Sequence, residues 1–140
     1  LDGYIARLPY IISLKPKFVF IMGGINDIYN WTPVEKIFEK YVRLISELKK
    51  NNIKPVIQST LFAGNKWKSY SDRNKEVIRL NKMLSDYAKK NLIEFVDLNK
   101  KLSAKNILIA EYTYDGLHLN GKGYAIWAIE VDKILKKYSF

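Results

Sequence analysis

Three times along this chain a helix-spaced amphipathic stretch ending in lysine gives way to a short apolar run. Leu14-Lys15-Pro16-Lys17 precedes residues 18–22, Lys49-Lys50-Asn51-Asn52 precedes residues 55–60, and Lys89-Lys90-Asn91 precedes residues 93–97. Lysines suit the negative end of a helix dipole, and asparagine tolerates the left-handed conformation in which helices often stop. The runs that follow are nearly all apolar, as strands must be when both faces are covered. A helix feeding a strand, repeated in this way, implies a parallel sheet with helices outside, a three-layer α/β architecture.

The helices have readable stripes. The first carries Ile5, Leu8, Ile11 and Ile12; the second carries Val34, Ile37, Phe38, Tyr41, Val42, Ile45 and Leu48 at close to a 3.6-residue period. The second is expected to start with Thr32 as N-cap, Pro33 at the first helical position and Glu35 reaching back to the cap. The third starts near Ser71-Asp72 and buries Val77, Leu80, Leu84 and Tyr87. The last starts around Gly121 and buries Tyr124, Trp127, Val131, Ile134, Leu135 and Tyr138, with Asp132 and Lys136 paired on its outer side. No linker, repeat or low-complexity tract interrupts the 140 residues, so 1–140 reads as one domain.

Composition excludes several classes of function. There is no cysteine, which removes disulfide frameworks, thiolate metal sites and cysteine nucleophiles. One histidine and scattered carboxylates offer no metal-ligand cluster. The longest apolar run is soon broken by Asn26 and Asp27, far short of the roughly 20 residues that span a bilayer. Lys and Arg number 24 against 14 Asp and Glu, a formal charge of +10. Those lysines mostly occupy helix exteriors and C-termini, and no recognition helix or stacking sheet accompanies them, so a nucleic-acid partner is not expected.

In an open parallel α/β sheet, ligands collect beyond the carboxyl ends of the strands. After the first strand stands Gly23-Gly24-Ile25-Asn26-Asp27, where the glycines allow a tight turn and Asn26 can aim its carboxamide N–H groups into the crevice. An ordinary turn explains the same residues. Near the end stands Asp115-Gly116-Leu117-His118, which holds the only histidine one turn after an aspartate and just ahead of a helix. That spacing lets Asp115 accept a hydrogen bond from the nearer ring nitrogen of His118, leaving the far nitrogen as a general base toward a nucleophile.

Together the two segments resemble the SGNH hydrolases, the GDSL-type lipase and esterase family, over nearly the whole chain and in the family's order. Gly24-Ile25-Asn26-Asp27 matches the family's G-x-N-D block and Asp115-Gly116-Leu117-His118 its D-x-x-H block. The approach Lys15-Pro16-Lys17-Phe18-Val19-Phe20-Ile21 and the ending Leu119-Asn120 are similar as well. The resemblance implies a flavodoxin-like fold with strand order 2-1-3-4-5 and cofactor-free ester hydrolysis. His118 would then be the general base, Asp115 its orienter, Asn26 the oxyanion donor and Gly24 the point of backbone approach. Asp27 is expected to brace its own loop.

The family's nucleophilic serine lies in a G-D-S segment after its first strand, and this chain has no such segment. Ser13, Ser46 and Ser85 fall on helices, Ser69 and Ser71 in a loop, Ser103 after a strand and Ser139 at the end; Ser59 ends a strand but lacks a strand-to-helix elbow. The chain also opens at Leu1 directly on helix-spaced apolar residues, without a cap. The nucleophile, two strands and any signal peptide are therefore expected upstream, and the compartment is left undetermined. Residues 18–22 would form an exposed sheet edge that receives the missing N-terminal segment or a neighbouring chain.

Aromatic residues follow the strands: Tyr29 and Trp31, Trp67 and Tyr70, Tyr112 and Tyr114. Surface-loop packing explains any one of them; as a group they offer flat faces to a sugar ring or acyl chain. Gly24, Tyr29, Trp67 and Tyr114 are the expected substrate contacts. The resemblance thus implies an ester hydrolase acting on a small-molecule ester, and the amphipathic rings favour a short-acyl carbohydrate esterase. The competing reading is a catalytically silent ligand-binding relative.

Overall fold

The computed structural model describes residues 1–139. Its centre is a parallel sheet of β1 (Phe18–Ile21), β2 (Lys54–Gln58) and β3 (Glu94–Val96), in that spatial order. Phe20 stands opposite Val56 in the first ladder, and Ile57 stands opposite Phe95 in the second. Parallel neighbours need crossover connections, and two long helices supply them. The helix α3 (Val34–Lys50) links β1 to β2, and α4 (Tyr70–Lys90) links β2 to β3. Between β1 and α3 lies a short α2 (Ile25–Tyr29), and α1 (Asp2–Ser13) precedes the sheet. After β3 come α5 (Asn99–Leu102), a two-stranded hairpin of β4 (Ser103–Ala104) and β5 (Ile107–Leu108), a 3₁₀ turn at Ala110–Tyr112, and α6 (Gly121–Lys137).

Alternation along the strands sorts the core into two sides. Ile21 and Ile57 face α3 and α4, where Ile37, Tyr41, Ile45, Val77, Leu80 and Leu84 are buried. Val56 and Val96 face the other way, against Leu98, Leu102, Leu108 and Leu119, with Phe20, Trp127 and Ile134 packed around them. The expected three layers are therefore present. Asp132 and Lys136 pair at 2.6 Å on the outer side of α6. No helix among the described residues is long and apolar enough to cross a membrane.

Several local expectations change. Thr32 does not cap the second long helix: α3 begins at Val34, Pro33 is its N-cap, and no side chain closes the cap. The amide of Thr32 instead donates to the carbonyl of Asp27 at 3.0 Å, completing the turn that ends α2. The 25–29 segment, read as a turn, winds into a short helix from Gly24. The stripe of α6 is less buried than its periodicity implied. Tyr124 is 55% exposed, and the helix's buried residue is Gly123, while Ile126, Trp127 and Ile134 are only partly buried against the Val56 side of the sheet.

Among the described residues, β1 pairs with β2 only. Beside its other edge runs a groove of about 290 Å³, walled by Tyr4, Leu8 and Ile11 of α1 and by Trp127 of α6, with Phe20 and Met22 in its lining.

Burial gives a direct check. Leu80 is fully buried, so Leu80→Ala should cost about 2–5 kcal/mol in urea denaturation, whereas Ile129→Ala, at a site 58% exposed, should stay within about 0.5 kcal/mol.

Candidate active site

The chain leaves β1 through two glycines, and the second is obligatory on steric grounds. Gly24 has φ +101°, and a Cβ there would lie 2.8 Å from Leu80 Cδ2 and 3.3 Å from Ile37 Cγ2. Only glycine combines that left-handed backbone with so close an approach to a core. Gly23 is clamped from below. Its amide donates to the Tyr41 hydroxyl at 2.8 Å, which donates in turn to the Gly23 carbonyl at 3.1 Å. The Thr60 hydroxyl donates to the same carbonyl. Burial pushes the Tyr41 phenol well above its ordinary value, so the clamp stays neutral.

Thr60 extends the network across the sheet. Its amide donates to Asn81 Oδ1, and its carbonyl accepts from Asn81 Nδ2 and from Asn99 Nδ2, each at 2.8 Å. Buried carboxamides paired on both atoms fix loops rigidly, since losing one partner leaves an unsatisfied group. The ends of β1 and β2, α4 and α5 are thereby held in one frame. Asn81 and Asn99 escaped the sequence reading; their one visible signal was a polar residue on an otherwise buried face.

From this frame α2 presents neighbouring side chains in opposite senses. Asn26 is exposed, while Asp27 is 8% exposed. Asp27 Oδ1 accepts from Lys40 Nζ at 3.1 Å, and Oδ2 accepts from the Leu1 amino nitrogen at 2.7 Å. Through Lys40, Asp27 braces its loop against α3.

The Asp115-to-His118 turn is built on one carboxylate. Asp115 Oδ2 lies 2.8 Å from His118 Nδ1, and Oδ1 accepts the amides of Leu117 at 2.8 Å and His118 at 2.9 Å. The His118 side chain, followed by those two amides, holds the Asp115 carboxyl far below the usual carboxylate range. Gly116, at φ +93°, permits the turn, and its carbonyl accepts from the Gly64 amide at 2.6 Å. The Thr113 hydroxyl closes the base of the turn by donating to the His118 carbonyl at 2.7 Å. Behind it Asn120 caps α6, its Oδ1 accepting from the amides of Lys122 and Gly123 at 3.0 and 3.1 Å. Asn120 is a further supporting residue the sequence reading passed over, although an asparagine ahead of a helix start is a cap signature.

Asn26 and His118 line one cleft of about 270 Å³ at the carboxyl end of the sheet, with Gly24, Thr60, Tyr124 and Trp127 in its walls. No serine among the described residues belongs to that lining. Ser59 is fully buried, its hydroxyl 3.3 Å from Asn99 Nδ2. Tyr29, Trp67 and Tyr114 lie outside the cleft. Tyr29 and Trp67 meet edge to face, with ring centroids 5.6 Å apart, and Tyr114 is 76% exposed on the turn. The rings within the cleft are Tyr4 and the stacked pair Tyr124 and Trp127, whose centroids are 5.5 Å apart. Helical spacing had assigned that pair to the core.

Residues 1–126 match the GDSL-like lipase/acylhydrolase family model. The chain belongs to this family. A GDSL-like lipase from Bacteroides thetaiotaomicron superposes with a TM-score of 0.88 at 27% identity, over 96% of this chain and 70% of that one. An acetylxylan esterase from Geobacillus stearothermophilus shares the fold, with a TM-score of 0.75 at 21% identity over 99% of this chain and 67% of its own. An N-acylneuraminate cytidylyltransferase from Streptococcus agalactiae is 30% identical over 115 residues, 80% of this chain. The chain spans only 26% of the length of that curated relative.

Two outcomes follow for the site of this family member. The Asp115 carboxyl should remain ionised at pH 3.8, the ordinary aspartate value, in a carbon-detected NMR titration. Because its folded value is depressed, its contribution to stability is complete above the unfolded value and is lost only as pH falls through the folded one. Gly24→Ala should cost about 1–3 kcal/mol in thermal or urea unfolding, since the substitution combines a left-handed backbone with a core clash.

Proposed function

We propose that the complete protein is an acylhydrolase for a small ester, working through a Ser-His-Asp triad whose serine lies outside residues 1–140. The observation that carries this reading is the 2.8 Å contact of Asp115 with His118 Nδ1, in a turn that shares a cleft with Asn26. A carboxylate on Nδ1 keeps the proton there and leaves Nε2 free as a base. In this reading His118 takes the proton of the attacking hydroxyl and returns it to the leaving group. The Asn26 carboxamide donates to the oxyanion as charge moves onto it, and Gly24 lets the backbone approach the same oxygen. Asp27 lines the same cleft, where its ion pair with Lys40 offsets its charge.

The pairing of β1 with β2 alone among the described residues, and the groove beside its other edge, support an N-terminal segment, or a neighbouring chain, completing the sheet there. A cleft of about 270 Å³ favours a short acyl group. A carbohydrate ester is the favoured substrate, since an acetylxylan esterase shares the fold. The lack of a serine in the cleft lining favours one other reading, a silent ligand-binding module.

Steady-state kinetics on the complete protein with a simple acetyl ester separates the two. His118→Ala should nearly abolish turnover, and Asn26→Ala should lose roughly 10²–10³ in kcat with a smaller change in KM. Asp115→Asn should be damaging through the wrong tautomer. Residues 1–140 alone should hydrolyse no activated ester above background. Near-normal turnover in folded Asn26 and His118 variants would contradict the hydrolase reading and favour the binding module.

A further inference from the structure

Three aromatic rings line the cleft that holds Asn26 and His118, those of Tyr4, Tyr124 and Trp127. Two of them have their polar atoms taken by the protein. The Tyr4 hydroxyl donates to the Met22 carbonyl at 2.8 Å, and Trp127 Nε1 donates to Oε1 of the buried Gln58 at 2.5 Å. Both rings also wall the groove beside β1, where a further strand would complete the sheet. Tyr124 differs on each count. Its hydroxyl has no hydrogen-bond partner among the described residues, and its ring belongs to the lining of the cleft but not to that of the groove.

The Tyr124 ring is also held in place. It stacks on Trp127 with centroids 5.5 Å apart and planes 17° from parallel, and Gln58 anchors Trp127 in turn. Tyr124 follows Gly123, where a Cβ would lie 2.6 Å from the Tyr112 carbonyl oxygen, so glycine lets the start of α6 approach the segment leading into the His118 turn. The Asn120 cap ties the junction together: its Oδ1 accepts from the Gly123 amide, and its carbonyl accepts from the Tyr124 amide at 2.9 Å. His118 and Tyr124 thus stand on two sides of one capped junction and line one cleft. A ring that is fixed in this way and still 55% exposed offers an occupant both a flat apolar face and a hydroxyl. An acyl chain would use the face alone. A hydroxylated ring matches both, with C–H groups on its face and hydroxyls at its edge.

We propose that Tyr124 is a specificity-determining residue of the cleft, the platform on which the sugar of a carbohydrate ester stacks beside His118. The C–H face of the sugar lies on the Tyr124 ring, which Trp127 backs, and a sugar hydroxyl pairs with the Tyr124 hydroxyl. This inference rests on the carbohydrate-ester reading for its place in a reaction, and binding alone tests it.

The experiment is saturation-transfer NMR on the complete protein with methyl β-D-xylopyranoside as the probe. Glycerol, which has hydroxyls but no ring, and n-hexanol, which has an alkyl chain but no ring, are the controls. The xyloside should give a saturable signal, strongest at the axial H1, H3 and H5 protons that share one face of its ring, and the controls should give none that depends on Tyr124. Tyr124→Ala removes the platform and should weaken xyloside binding about tenfold. Tyr124→Phe removes only the hydroxyl and should weaken it severalfold, which keeps the test decisive if the alanine variant fails to fold by circular dichroism. No saturable xyloside signal, an equal Tyr124-dependent signal from glycerol or n-hexanol, or an unchanged affinity in either folded variant would overturn the proposal. Because no turnover is read, loss of this platform leaves the hydrolase reading standing, and an inactive triad leaves the platform standing.

Discussion

A backbone held at φ +101° with a core leucine where its Cβ would be lets β1 stop abruptly and a helix begin within a few residues. Every later feature of the site is referenced to that turn. Tyr41 and Thr60 grip the carbonyl of Gly23 from two different elements, and Asn81 and Asn99 grip Thr60 in turn. The result is a layer of satisfied buried polar groups directly under the cleft. Such a layer is costly to disturb, because each lost partner leaves a donor or acceptor away from water. Asn26 is exposed above it and owes its position in part to Tyr41, Asn81 and Asn99, which do not line the cleft.

The carboxylates around the site show how environment divides similar groups between different tasks. Asp27 is buried and spent on an ion pair with Lys40, which ties α2 to α3. Asp115 stands near solvent, yet its ring and amide hydrogen bonds hold it ionised more firmly than an ordinary aspartate. Exposure would weaken a lone ion pair. Here the backbone amides of Leu117 and His118 lock the carboxylate geometrically, so the histidine meets an acceptor already in place. Arg73 is the reverse case, a buried side chain stacked on aromatic rings, with its Nε left without a hydrogen-bond partner.

Much of this was legible in the sequence because it rests on periodicity and on short-range spacing. The lysine-tipped helices and apolar runs located the parallel strands to within one or two residues, since burial on both faces leaves little choice of residue. Asp115 and His118 were readable because the bond between them is local, three residues apart. What stayed hidden was decided by tertiary partners. Thr32 had the right identity for a cap, but its amide was claimed by Asp27. Tyr124 and Trp127 had core spacing; Trp127 does pack against the core cluster, yet both rings also line the cleft. Tyr29 and Trp67 were placed near the substrate by their loops, and no spacing rule could show that they face each other and that Tyr29 meets Arg73.

The central claim is that Asp115 holds His118 with its far nitrogen bare toward the cleft, and this chain makes that measurable because it contains a single histidine. Long-range proton–nitrogen correlation NMR on the isotopically labelled protein reads both ring nitrogens without ambiguity. In the neutral imidazole the account predicts a proton fixed on Nδ1 and an unprotonated Nε2, with that preference lost in Asp115→Asn. A folded protein whose neutral His118 carries its proton on Nε2, or shows the averaged tautomers of a free imidazole, would contradict it.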